Sequence, residues 1–200
     1  MEDSTIKPEN VKNIIALFLY EALGTAILVF TWNFDGHFMA FGVMLAATLC
    51  GAITGGHFNP AVSLAVLIAN FKFKDNLKGF IILVMAQLIG ALFGILMFFT
   101  VAHDIKVDEF KERTDLIHNL YPTGRYSEYE AYNTEGQVFW IEFLGTFLLC
   151  FIVLNLKNED TEPTPDGGLK CLTVGFTLLG SIYITAPVSG ACLNPALGFA

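Results

Sequence analysis

The tripeptide Asn-Pro-Ala occurs twice, at Asn59-Pro60-Ala61 and Asn194-Pro195-Ala196, each time behind a Gly-containing turn inside an apolar stretch. Asn is a favoured helix N-cap, and Pro suits the first helical position, where its missing N–H costs nothing. Each triplet therefore predicts a helix start. The Asn carbonyl oxygen caps the backbone behind it, which leaves the side-chain amide to donate hydrogen bonds to a passing oxygen. Irregular backbone at membrane depth is tolerated only when it is buried in protein or lines a watery cavity, so two such starts imply an aqueous path. Two carboxylates, Glu21 and Glu142, also sit inside apolar runs, where an ionisable residue is a functional hypothesis by default. Proton exchange with the path is one reading of them, and a structural hydrogen-bonding role is the other.

The elements that must position these groups are apolar. Of the 200 residues, 54% are apolar and only 15% charged, which excludes an ordinary soluble fold. Apolar blocks run over 14–32, 38–53, 61–69, 79–102, 138–156 and 171–187. A crossing needs about 20 residues, so five blocks qualify as spans, the second and fifth of these with least margin. The block after Asn59 covers only about 15 Å at 1.5 Å per residue, and it is expected to enter the bilayer and stop midway, as a half-helix over 60–70. The first span exceeds a signal-peptide apolar region and lacks a cleavage pattern, so it reads as uncleaved. Lysines of the short connections (Lys7, Lys12, Lys72, Lys74, Lys78, Lys157, Lys170) share one side, which predicts a cytoplasmic N-terminus over 1–13. The long segment 103–137 is then an extracytoplasmic loop. Cys50, Cys150, Cys171 and Cys192 show neither disulfide nor metal-ligand spacing, and no cofactor or metal is expected. The net charge of −8, with no basic run, argues against nucleic-acid binding.

An internal duplication fixes the architecture. Glu21-Ala-Leu-Gly-Thr25 recurs as Glu142-Phe-Leu-Gly-Thr146, with Leu28 and Phe30 matched by Leu149 and Phe151 at equal spacing. The first copy, over 14–102, contains three crossings and a half-helix. An odd number of crossings starts the second copy, over 138–200, on the opposite face. The repeats are therefore inverted, and their half-helix tips are expected to meet from opposite sides near the midplane. Gly90-x-x-x-Gly94 predicts close helix packing within one subunit.

These residues, with Gly55-Gly56-His57-Phe58 before the first box, Gln87 and Gly90-Ala91 in the third span, and Pro187 and Gly190 to Cys192 before the second box, resemble the aquaporin, or major intrinsic protein, family over nearly the whole chain. The resemblance implies an all-α membrane protein with transmembrane helices and two re-entrant half-helices, conducting water or small neutral solutes passively and performing no bond chemistry. It implies pore carbonyls at Gly55, Gly56, His57, Gly190, Ala191 and Cys192. It also implies loop-holding roles for Glu21, Glu142 and Gln87, a loop-orienting His57, and a homotetramer in the lipid bilayer. About half a positive charge at each helix N-terminus would repel cations and protons between the boxes.

The chain departs from that pattern at the outer filter. The family usually places Arg directly after the second box, where this chain has Leu197, and its two arginines, Arg113 and Arg125, lie in the long segment. The remaining filter positions fall on Ile182, Ala191 and, in the second span, on Phe41 by local sequence or Met39 by distance from Asn59. Such a ring has no side-chain donor or acceptor, so strict water selectivity and glycerol specialisation both become doubtful. The chain also ends at Ala200, one turn into the second half-helix and before the sixth crossing, and it reads as truncated. Two alternatives follow from these features: a non-conducting structural or regulatory subunit, and a proton-coupled secondary transporter using Glu21 and Glu142.

Overall fold

The computed structural model describes residues 11–71, 73–102 and 135–200, all of them helix or short connection. The helices are α1 (Val11–Trp32), α2 (Phe38–Thr54), α3 (Pro60–Ala69), α4 (Phe73–Ala102), α5 (Glu135–Lys157), α6 (Gly167–Ser189) and α7 (Pro195–Phe199). Four of them, α1, α4, α5 and α6, are long and apolar enough to cross a membrane. At 17 residues α2 spans about 25 Å, near the lower limit for a crossing. The helix α4 begins six residues before the apolar block at 79, because Lys74, Asp75 and Lys78 make its first two turns polar, which hydropathy alone does not count as part of a span. Most of the expected outer segment and the N-terminal residues 1–10 lie outside the described residues, together with Arg113 and Arg125.

Small residues bring the helices together. A Cβ added at Gly90 of α4 would collide with the Ala22 carbonyl oxygen of α1, and one at Gly94 would stand 2.6 Å from the Ala26 carbonyl oxygen. The Gly-x-x-x-Gly stripe thus packs α4 onto α1 within the chain, with backbone against backbone. The core behind this contact gathers Leu28 and Val29 of α1, Met39 and Val43 of α2, Leu149 and Val153 of α5, and Leu178 and Ile182 of α6 around both box segments. Apolar side chains also cover the outside, including Leu19, Leu45, Phe93 and a row of Phe139, Phe143, Phe147 and Phe151 along α5. An outer surface this apolar suits hydrocarbon rather than water.

Candidate functional site

Both boxes are built by the same local rules. The helices before them end in left-handed glycines, Gly55 (φ 82°) after α2 and Gly190 (φ 89°) after α6, a conformation that only glycine adopts without steric cost. The hydroxyl one residue earlier then accepts from the returning backbone: Thr54 Oγ1 from Gly56 N at 3.0 Å, and Ser189 Oγ from Ala191 N at 3.2 Å. Asn59 and Asn194 are extended, and their Oδ1 atoms accept from Ala61 N at 2.8 Å and Ala196 N at 3.0 Å, with Pro60 and Pro195 opening α3 and α7. The expected caps are therefore present at both sites.

The residue before each Asn carries a signal that sequence reading missed. Phe58 (φ 49°) and Leu193 (φ 50°) both hold the left-handed conformation that side chains usually avoid. Each is buried against the glycine of the duplicated span: a Cβ on Gly24 would overlap the edge of the Phe58 ring, 2.5 Å from Cδ1, and one on Gly145 would fall 2.7 Å from Leu193 Cδ2. The matched Gly24 and Gly145 of the two Glu-x-x-Gly-Thr copies were visible in the sequence. Their role as sockets was not.

The carboxylates hold these turns. Glu21 Oε1 accepts from Phe58 N at 2.6 Å and from Gln87 Nε2 at 2.7 Å. Gln87 also donates to Ser63 Oγ at 2.8 Å, and Ser63 Oγ pairs with His57 Nδ1 at 3.0 Å. In the second copy, Glu142 Oε1 accepts from Cys192 N at 2.9 Å and Oε2 from Leu193 N at 2.8 Å. These bonds tie each carboxylate to the backbone just before an Asn of a box.

The two tips meet. Asn59 Nδ2 donates to Leu193 O at 2.8 Å, and Asn194 Nδ2 donates to Phe58 O at 2.9 Å, a reciprocal pair across 134 and 136 residues. Because both Oδ1 atoms are committed to caps, the amide orientation is set by its partners. This modifies the sequence expectation: one hydrogen of each amide is bound to the opposite box, and one remains for a passing oxygen. Asn59, Asn194, Gly56 and His57 line a cavity of ≈ 20 Å³, enough for about one water molecule. Its other walls are aliphatic, among them Met39, Val43, Val62, Leu149, Val153 and Leu178.

The second-span filter position needs correction. Phe41 is 56% exposed on the outer face of α2, whereas Met39 is 1% exposed and lines the cavity. Two residues along a helix rotate a side chain by about 200°, so only one of the pair can face inward. Ile182, Ala191 and Leu197 are buried in the same apolar cluster as Met39. The Gly55 carbonyl already accepts one hydrogen bond, from Lys157 Nζ at 2.6 Å, and keeps one lone pair for the path. No sequence pattern linked residues 102 positions apart. Among the described residues, no cluster of His, Cys, Asp or Glu could hold a metal.

Comparison with known proteins follows the same lines. A family model described as major intrinsic protein matches residues 7–200. The glycerol uptake facilitator protein-like 6 of Lactiplantibacillus plantarum is 31% identical over 190 residues, which cover 90% of this chain and 79% of that protein. Nodulin-26 of Glycine max is 27% identical over 97% of this chain and 68% of its own length, and aquaporin NIP1-2 of Arabidopsis thaliana is 31% identical over 76% and 47%. The X-ray structure of the aquaglyceroporin from Plasmodium falciparum superposes with a TM-score of 0.71, covering 93% of this chain and 78% of that one at 22% identity, a likeness of fold.

Proposed function

Because the chain belongs to the major intrinsic protein family, we propose that it forms a passive transmembrane path for water or small neutral solutes, with ions and protons excluded where the two box segments meet. The observation that carries this reading is the reciprocal bonding of Asn59 to Leu193 and of Asn194 to Phe58. It holds two amide groups on one cavity, each with a hydrogen to spare. A water accepting from both amides has its lone pairs occupied. It then has none with which to take a proton from the next water, so the file is interrupted for protons but not for molecules. The N-terminus of the ten-residue α3 adds about half a positive charge at the same place, which opposes cations.

Outside that polar spot the wall is aliphatic, and Met39, Ile182, Ala191 and Leu197 would form an outer constriction without donors. Such a constriction sets no hydrogen-bonding requirement, so discrimination rests on size and on the cost of drying the passage. Small neutral solutes able to give up hydration stepwise are the substrates this wall suits. Glu21 and Glu142 favour a channel over a proton-coupled transporter, because neither lines the cavity: Glu21 Oε1 accepts from Phe58 N and the Gln87 amide, and both oxygens of Glu142 accept from loop N–H groups.

Stopped-flow light scattering on proteoliposomes of the full-length protein, comparing water, glycerol and urea, tests the proposal. Swelling faster than in empty vesicles, linear in solute gradient and indifferent to an imposed pH gradient, is the expected result. Saturating flux that follows the pH gradient would replace the channel with a coupled transporter.

A further inference from the structure

The position after the second box usually supplies a cation in this family, and here it is Leu197, buried in the apolar core. A cation is nevertheless present elsewhere on the wall. Leu149 and Val153 of α5 line the cavity. Residues four apart stack on one helix face, so the next member of their stripe is Lys157, the last residue of α5. Its Nζ reaches Gly55 O at 2.6 Å, and Gly55 directly precedes Gly56 and His57 of the cavity lining. The ammonium therefore stands at the mouth where α2 and α5 end, one peptide from the wall of the path.

Nothing among the described residues neutralises it by direct contact. Lys170, the next cation in sequence, is paired with Glu162, whereas Lys157 bonds only to a neutral carbonyl. The acidic group whose field reaches Lys157 is Glu21, already bonded to Phe58 and Gln87. In the second repeat Gly190 is the matching left-handed cap, and among the described residues no ammonium bonds to its carbonyl. The inverted repeat explains both boxes and both carboxylates but not this lysine, whose counterpart in the first repeat is Gly36. A low-dielectric rim concentrates the field of such a charge along the axis of the opening.

We infer that Lys157 is a charge-selecting residue of the permeation path, holding an ammonium on the rim at Gly55 so that cations are turned away at that mouth while neutral solutes pass. The inference rests on the channel reading above. It assigns to the α5 end an ion discrimination that the Leu197 position does not provide.

The test uses full-length protein in proteoliposomes, with Rb⁺ tracer uptake and glycerol-driven swelling measured on the same preparation. The Rb⁺-to-glycerol permeability ratio should rise about tenfold in Lys157→Met and stay near wild type in Lys157→Arg and in the control Lys170→Met. The rise should be large at about 0.01 M salt and shrink at about 1 M, where the screening length falls from about 30 Å to about 3 Å. A lysine that merely braced the Gly55 turn would give no such salt dependence. If Lys157→Met elutes as an aggregate, Lys157→Cys decides the matter on a single protein: an ammonium-bearing methanethiosulfonate should lower the ratio and a sulfonate-bearing one should raise it, with wild type treated in parallel. A ratio that is the same in wild type and Lys157→Met, or the same after either label, overturns the inference and leaves the channel intact. Wild-type vesicles that swell no faster than empty ones overturn the channel reading itself.

Discussion

Replacing Gly24 by Ala should damage the protein more than the same change at its repeat partner Gly145, and the sockets explain why. A methyl on Gly24 would stand 2.5 Å from Phe58 Cδ1 and 2.8 Å from Cζ, against a ring with no exposure at all. The ring is flat and enclosed, so it must shift as a body and carry the Phe58 backbone with it. Overpacking of this kind costs about 1–3 kcal/mol. The shift also loosens the Asn194 to Phe58 O bond, worth about 1 kcal/mol more. The helix gains back only about 0.5–1 kcal/mol from losing a glycine. A net loss of about 1–3.5 kcal/mol follows. At Gly145 the methyl meets Leu193 Cδ2 and Thr185 Cγ2, both at 2.7 Å. A leucine relieves its contact by leaving its rotamer well for about 0.5–1.5 kcal/mol, and the stiffer, buried Thr185 must give by a few tenths of an ångström as well, so the change is destabilising but less so than at Gly24. Thermal unfolding in detergent, followed by size-exclusion recovery, should rank wild type first, Gly145→Ala next and Gly24→Ala last. Adding Phe58→Leu, the residue the second repeat uses, should rescue Gly24→Ala with a coupling of at least about 1 kcal/mol. Equal stability of the two alanine variants, or strict additivity in the double mutant, would refute the socket argument.

Three further outcomes are expected. Met39→Ala should raise glycerol and urea flux relative to water in the vesicle assay, whereas Phe41→Ala, on the outer face of α2, should leave the ratio unchanged; the reverse pattern would return the filter to Phe41. Leu197→Arg should narrow the range of permeant solutes and reduce any Rb⁺ leak, and an unchanged profile would remove Leu197 from the constriction. Glu142→Ala strips the acceptor from Cys192 N and Leu193 N, two donors in the turn before Asn194, and should cost about 2–5 kcal/mol, read as a lowered unfolding midpoint in detergent.

Much of the architecture was written locally. The Asn-Pro caps, the left-handed glycines at the ends of α2 and α6, and the short reach of α3 follow from residue types acting on their own backbone. The duplication of Glu-x-x-Gly-Thr followed by Asn-Pro-Ala gave the inverted repeat, because counting crossings needs only hydropathy. The resemblance implied loop anchors at both carboxylates, and these bond to Phe58, Cys192 and Leu193.

What the tertiary structure alone decided depends on angle and on distance in space. Phe41 and Met39 are two residues apart, a rotation of about 200°, and a one-dimensional count with an uncertain register between span and box could not say which one turns inward. The sockets for Phe58 and Leu193 require two helices to approach to backbone contact, which no local preference encodes. The reciprocal amide bonds and the reach of Lys157 to Gly55 join residues more than 100 positions apart. Sequence fixes the conformation a segment prefers; which carbonyl a distant side chain finds is settled only when the helices have packed and left one geometry open.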